Sequence, residues 1–185
     1  MALIIALDGH DGSGKTTLSR SLAARIGGIH LRPFQGRLGA GLMKAAEANN
    51  SSDIISVGNE ALNLAGDSYD IGVPLVFDRA WLTVASLLDA KHMASFRQKW
   101  AVHIPTIVCW ADLETTVKRL SARSEVVGSL DGHRHYLAKY RELADVCSCP
   151  ILRTDVYSET ECLEQLLSWI GQLSEGNLNA FGRPS

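Results

Sequence analysis

"GHDGSGKTT" spans Gly9–Thr17 and directly follows the apolar run "ALIIAL" of Ala2–Leu7. The run before it reads as a strand buried on both faces, as in a parallel sheet. After it, Leu18, Leu22 and Ile26 recur at helical spacing, and Gly27-Gly28 stops the helix. Three glycines, a lysine and two threonines therefore sit at a turn between a buried strand and a helix.

Gly9, Gly14, Lys15 and Thr16 satisfy G-x-x-x-x-G-K-[ST], the phosphate-binding loop. Glycine admits backbone angles that other residues reach only with strain, and its bare N–H groups can turn inward on phosphate oxygens. The helix that follows offers its positive end to the same anion. On this reading Gly9, Asp11, Gly12, Ser13, Gly14, Lys15, Thr16 and Thr17 form an ATP site, with Lys15 as a mobile cation and Thr16 as a ligand of Mg²⁺.

The rest of the chain supports an α/β architecture. Further strands are predicted at 29–32, 73–78, 105–112 and 149–154, and helices at 38–48, 58–69, 81–93, 113–124, 134–146 and 158–173. The polar stretches "NNSSD" (49–53) and "GSLDGH" (128–133) read as breaks. Alternating strands and helices imply a three-layer P-loop NTPase fold, a five-stranded parallel sheet with helices on both faces. Ligands on such sheets lie beyond the carboxyl ends of the strands. Asp8, Asp78, Asp112 and Asp155 all fall at or just past a predicted strand end, so several are expected on one rim. One domain is expected over 1–175, with a lid at about 121–134 and a flexible tail at 176–185.

The 185 residues are 46% apolar and 21% charged, with net charge −2, which excludes a broad attraction to nucleic acid or anionic lipid. Cys109, Cys147, Cys149 and Cys162 lack metal-site spacing. With no basic leader and no apolar run of membrane length, the expectation is a soluble cytoplasmic protein. No N-K-x-D-like or D-x-x-G segment supports a GTPase, and the chain is short for a large motor or AAA ATPase. A small kinase remains.

The sequence resembles the thymidylate kinase family, within the nucleoside and nucleotide kinases. "LDGHDGSGKTT" (7–17) is similar to that family's E-G-x-D-G-S-G-K-T-T, with Asp8 in place of the glutamate. "VFDRAWLTVAS" (76–86) resembles its D-R-Y-x-x-S segment, and "LRPFQGR" (31–37) lies where the family has an acceptor loop. "VKRLSARSE" (117–125) resembles the start of an arginine-bearing lid, and "HRHYLAKYRELAD" (133–145) the helix after it. The resemblance implies an acceptor site of Asp8, Arg32, Phe34, Arg37, Asp78 and Arg79, and catalytic roles for Lys15, Arg79, Arg119, Arg123 and Asp11. Asp78 joins Thr16 at the metal, and the helix 81–93 is a possible homodimer face or simply core.

Base-handling positions depart from the family: Ala80 stands for its tyrosine, Leu88 lies near its glutamine, and Ser68 falls where it has an arginine. Phosphate-handling positions are kept. Arg32 precedes Pro33 where deoxynucleoside kinases carry a glutamate base, which favours an anionic monophosphate acceptor. A nucleoside kinase using Asp8 or Asp11 as base is the alternative, and an ATP-binding regulator without transfer is another. Trp81 is pocket wall or core. His133, Arg134 and His135 are read as solvent-facing, with membership of the lid the alternative, and His10 as turned to water. Lys15→Met is expected to lose nearly all transfer while keeping its fold, checked by ADP release and thermal melting; an active variant would remove the loop assignment.

Overall fold

Strand β1 (Ile4–Asp8) has no polar side chain before its last residue, and the fold places it where such a strand is stable, in the middle of the sheet. The computed structural model describes residues 3–67, 72–123 and 127–174, the side chains of 173 and 174 excepted. In chain order the remaining elements are α1 (Lys15–Arg25), β2 (Ile29–Leu31), α2 (Gly36–Glu47), α3 (Ser51–Asp67), β3 (Leu75–Asp78), α4 (Trp81–Ala85), α5 (Ala90–Trp100), β4 (Thr106–Trp110), α6 (Leu113–Ala122), α7 (Leu130–Cys147), β5 (Ile151–Arg153) and α8 (Glu159–Ser174). The five strands run in the order β2-β3-β1-β4-β5 and every pairing is parallel.

Alternate residues of each strand feed opposite layers. Ala6, Phe77 and Val108 meet Leu42, Ile54, Leu62, Trp81, Phe96 and Leu143 from α2, α3, α4, α5 and α7. Ile5, Leu7, Val76, Ile107 and Leu152 meet Leu18 and Leu22 of α1 and Leu166 of α8. This is the expected three-layer P-loop NTPase fold. The register Leu7↔Asp78 brings the ends of β1 and β3 side by side, so the phosphate-binding turn and the Asp78-Arg79 pair share one rim.

Three polar stretches read as breaks or passed over turn out to be helix caps. Asn50 accepts from the Asp53 N–H at 3.1 Å, so α3 starts at Ser51 rather than at 58. Ser129 accepts from the Gly132 N–H at 3.0 Å, so α7 begins inside the supposed 128–133 break. Asp89 accepts from the His92 N–H at 3.0 Å, which ends the continuity of the helix predicted over 81–93 and starts α5. All five residues of α4 are buried in their own chain, and Trp81 is core, its indole N–H donating to the Ile104 carbonyl at 3.1 Å. The α4 half of the suggested dimer face is therefore already occupied. Ser68 and the tail 176–185 lie outside the described residues, as do residues 124–126 of the suggested lid. The four cysteines are free, and no helix among the described residues is long and apolar enough to cross a membrane.

Two glycines of α3 separate packing from propensity. A methyl group at Gly58 would stand 2.9 Å from both Val84 methyls, whereas nothing lies within 4 Å of one at Gly66. Replacing a helical glycine by alanine favours the helix by about 1 kcal/mol, and overpacking against a stiff β-branched side chain costs about 1–3 kcal/mol. Gly66→Ala is therefore expected to raise the denaturant midpoint and Gly58→Ala to lower it, in a paired unfolding series.

Candidate active site

The loop after β1 is pressed into place by its glycines. Gly9 has φ +144° and Gly12 φ +78°. A side chain at Gly9 would put its Cβ 2.2 Å from the Cys109 carbonyl oxygen of β4, and one at Gly12 2.9 Å from the Thr116 carbonyl oxygen of α6. Gly14 caps α1 with no side-chain hydrogen bond, and no acidic residue stands in the first turn. The first N–H groups of α1 thus face outward with the positive end of the helix dipole behind them. Lys15 is buried, its Nζ donating to the His10 carbonyl at 3.2 Å and lying 3.6 Å from Asp11 Oδ1. Burial, reinforced by the Arg79 charge, pushes this ammonium down to about 8.

Across the rim, Asp78 accepts from the Thr16 hydroxyl at 2.7 Å through Oδ2, while its Oδ1 is buried and unpaired among the described residues. Arg32 Nε lies 3.4 Å from the same Oδ2. A hydroxyl, a carboxylate and a spare buried oxygen are hard donors of the kind Mg²⁺ takes, so this pair fits that ion. Arg79 adopts φ +74°, a left-handed conformation that costs a non-glycine residue about 1–3 kcal/mol. It is held there by its own N–H on the Leu7 carbonyl at 3.0 Å, by guanidinium bonds to the Gly9 carbonyl at 3.3 Å and the Thr83 hydroxyl at 3.4 Å, and by an ion pair with Asp11. Desolvation pushes the Asp11 carboxyl up, but the Arg79 and Lys15 charges outweigh it and hold the group at about 2.

Three spaces open along this rim. A polar cavity of about 270 Å³ holds Lys15, Thr16, Arg32, Asp78, Arg79 and Arg123. On one side lies a cavity of about 480 Å³ walled by Gly14, Thr17, Arg119, Arg123, Thr154 and Tyr157. On the other lies a mainly apolar one of about 330 Å³ walled by His10, Phe34, Leu42, Met43, Tyr136 and Tyr140, with Asp11, Arg79, Thr83 and Ser86 also lining it. Phe34, Asp11, Arg79 and Arg123 each border two of the three.

Several expected site residues stand elsewhere or act differently. Asp8 is fully buried and saturated, accepting from the Ala80 N–H at 3.0 Å and from the Thr83 hydroxyl. Burial raises its pKa; it shapes the β3–α4 turn and cannot face a substrate as base or ligand. Arg37 is exposed and pairs with Glu60 at 2.6 Å, away from all three cavities. Arg119 is no swinging lid residue. Its guanidinium already donates to the Gly12 carbonyl at 3.1 Å, the Thr154 hydroxyl at 2.9 Å and the Thr154 carbonyl at 2.6 Å, tying the loop to the end of β5. Asp112 caps α6 and Asp155 pairs with Arg153, so of the four strand-end aspartates Asp78 alone borders one of these three cavities. His10 does not turn to water. Its Nε2 lies 2.7 Å from Nδ1 of the buried His133, and its ring stacks on Tyr136. Arg134 stays on the surface with Asp131.

Thr83, Tyr136, Tyr140 and Thr154 were not singled out from the sequence. Thr154 ends a predicted strand, and Thr83 follows Arg79 by four residues, signals that strand-end and helical spacing both carry.

Comparison with known proteins agrees with this fold. A family model described as an AAA domain matches residues 4–147. The deoxyadenosine kinase of M. mycoides, solved with products dCMP and a flexible dCDP, superposes with TM-score 0.60 and 14% identity over 92% of this chain and 100% of that one. Its dATP complex gives TM-score 0.61 and 14% identity over 91% and 100%. YorR of Bacillus subtilis, solved with phosphorylated GDP, gives 0.65 and 15% over 93% and 98%. At such identities the likeness is one of fold. No curated protein matches the chain in sequence.

The Lys15 ammonium carries a pH test. Its unliganded value of about 8 lies below the ordinary 10.5, and a bound triphosphate favours the charged form. Below about pH 7 the group is already charged and ATP affinity is expected to be flat; above about pH 8 binding must take up a proton, and affinity falls by up to about tenfold per pH unit. Calorimetry in buffers of different ionisation enthalpy reads that uptake. Pre-charged lysine, with affinity flat to about pH 9.5, would contradict it.

Proposed function

We propose that this chain, which belongs to the AAA domain family although its length had been read as too short for an AAA ATPase, is an ATP-dependent kinase of (deoxy)nucleoside monophosphates. The observation that carries this reading is the polar cavity between the two larger ones, with Lys15, Arg32, Arg79 and Arg123 around a space the size of a phosphoryl group and its neighbours. Four cations in one recess suit two polyanions brought end to end.

On this reading the donor base enters the space beside Arg119 and Tyr157, and its phosphates run along the backbone N–H groups of 12–17 to Lys15. Thr16 and Asp78 would hold Mg²⁺, which would supply charge neutralisation to the donor phosphates. The acceptor nucleoside lies against Phe34, Tyr136 and Tyr140, and its phosphate is gripped by Arg79 with Arg32 beside it. An acceptor phosphate oxygen attacks the γ-phosphorus, the bond to the β-bridging oxygen breaks, and ADP and a diphosphate leave. The acceptor oxygen is already anionic, so no protein base is required. Arg123, exposed at the C-cap of α6 and bordering both the donor and the polar cavity, closes over the migrating group.

A second reading, phosphorylation of a nucleoside hydroxyl, draws support from Asp11, an exposed ionised carboxylate bordering both the acceptor and the polar cavity. Its low pKa makes it a weak base, which favours the monophosphate. A regulator that only binds ATP has no use for the strained Arg79 or for a second cavity. The family resemblance puts dTMP first among acceptors, although the buried Leu88 offers no amide to read a base.

A panel of nucleosides and nucleoside monophosphates with ATP and Mg²⁺, followed by ADP release, tests the proposal. Monophosphates are expected to turn over and nucleosides not; the opposite ranking would establish the second reading, and no acceptor dependence the third. Arg79→Ala is expected to lower kcat/KM for the monophosphate by about 100-fold or more.

A further inference from the structure

We infer that His10 is a substrate-binding residue of the acceptor cavity, donating a hydrogen bond from Nδ1 to an oxygen of the acceptor nucleotide, with His133 as the positioning residue that fixes its tautomer. This rests on the reading of the cavity beside Tyr136 as the acceptor site. His10 occupies a variable position of the phosphate-binding loop, which needs no ring there, yet the imidazole is fixed on two sides. Tyr136 stacks on it with 5.7 Å between centroids and 9° between planes, and His133 Nδ1 meets its Nε2 at 2.7 Å.

Hydrogen-bond satisfaction decides who donates. His133 Nε2 is buried and has no partner among the described residues. Any form of His133 with a proton on Nε2 therefore buries an unpaired N–H, which costs about 1–3 kcal/mol. The form with its proton on Nδ1 leaves an unpaired acceptor there instead, a fault that folded proteins carry more often than an orphaned N–H, and makes His133 the donor. His10 Nε2 must then accept, and the His10 proton moves to Nδ1. Burial, with His133, Lys15 and Arg79 nearby, pushes His10 down to about 4 against the pull of Asp11, so the ring is neutral at ordinary pH and holds one donor and one acceptor. Nδ1 has no partner among the described residues and is not sealed inside the protein. His10 borders this cavity together with Asp11, Arg79, Thr83 and Ser86, so that N–H is one fixed donor among a few polar groups in a wall that Phe34, Leu42, Met43 and Leu87 make mainly apolar. A small number of well-placed polar groups in a mainly apolar pocket orients a ligand there.

Two measurements on the full chain test this. In nitrogen-15 spectra of histidine-labelled protein, His10 is expected to show a protonated Nδ1 and a bare Nε2; the reverse tautomer overturns the inference. Binding titrations then use dTMP, dCMP, dAMP, dGMP and ATP. For whichever monophosphate the wild type binds, His10→Phe is expected to weaken affinity about tenfold and leave that for ATP within about twofold. His10→Gln, whose amide can accept from His133 and still donate, is expected to restore most of it. His133→Phe is expected to mix the His10 tautomers and weaken the monophosphate alone. Equal losses for ATP and monophosphate, or a lowered melting temperature with unchanged affinities, overturn the inference and leave the pair a structural tie. A wild type that binds ATP and none of the four monophosphates overturns the acceptor reading beneath it, a result distinct from normal monophosphate binding by His10→Phe, which overturns the inference alone.

Discussion

An ammonium group held out of water beside one carbonyl and one carboxylate is the constraint on which the site depends. Taking such a charge from water costs several kcal/mol, and the exposed Asp11 offsets only part of it. The same incompleteness recurs around it. Ser13 Oγ and Asp78 Oδ1 are buried without partners among the described residues, and α1 begins with no side-chain cap. Buried polar groups in folded proteins are nearly always satisfied, so these unpaired atoms at the loop and the strand end beside it are consistent with the anion and metal proposed for the site. Asp8 is the instructive contrast. It is as deeply buried as Asp78, but both its oxygens are occupied, and its work is structural.

The cations around that space divide their tasks by how firmly each is held. Arg119 is bound to Gly12 and Thr154 and braces the loop against β5. Arg79 is held in a strained backbone conformation by four separate contacts, so its guanidinium has a fixed place between two of the cavities. Arg123 sits at the end of α6, next to residues outside the described set, and borders both the polar cavity and the one walled by Arg119 and Tyr157. Rigid cations position ground-state charges, and one at a helix end is suited to meet charge that develops during transfer.

Much of this was legible in the chain. The phosphate-binding loop was readable because glycine, lysine and threonine at fixed spacing answer a local geometric demand, and the parallel sheet because buried strands carry continuous apolar runs. The Asp78-Arg79 pair was legible from its strand end. What escaped depended on pairings across long sequence distance. Nothing near residue 10 announces residue 133, and nothing at Arg37 announces Glu60. Asn50, Asp89 and Ser129 carry turn chemistry, and caps use the same chemistry, so polar stretches that look like loops were helix starts. Arg119 and Arg123 share one helix face in sequence, and only the three-dimensional position of Thr154 separates the brace from a cation with no side-chain partner among the described residues.

The most direct measurement is a crystal structure with Mg²⁺ and a non-hydrolysable ATP analogue. This account requires the β- and γ-phosphates to lie within hydrogen-bonding distance of the backbone N–H groups of 12–17 and of Lys15 Nζ, the metal to lie between Thr16 and Asp78, and the adenine to rest beside Arg119 and Tyr157. Triphosphate bound anywhere else, or adenine lodged between Phe34 and Tyr136 with the loop empty, would contradict it.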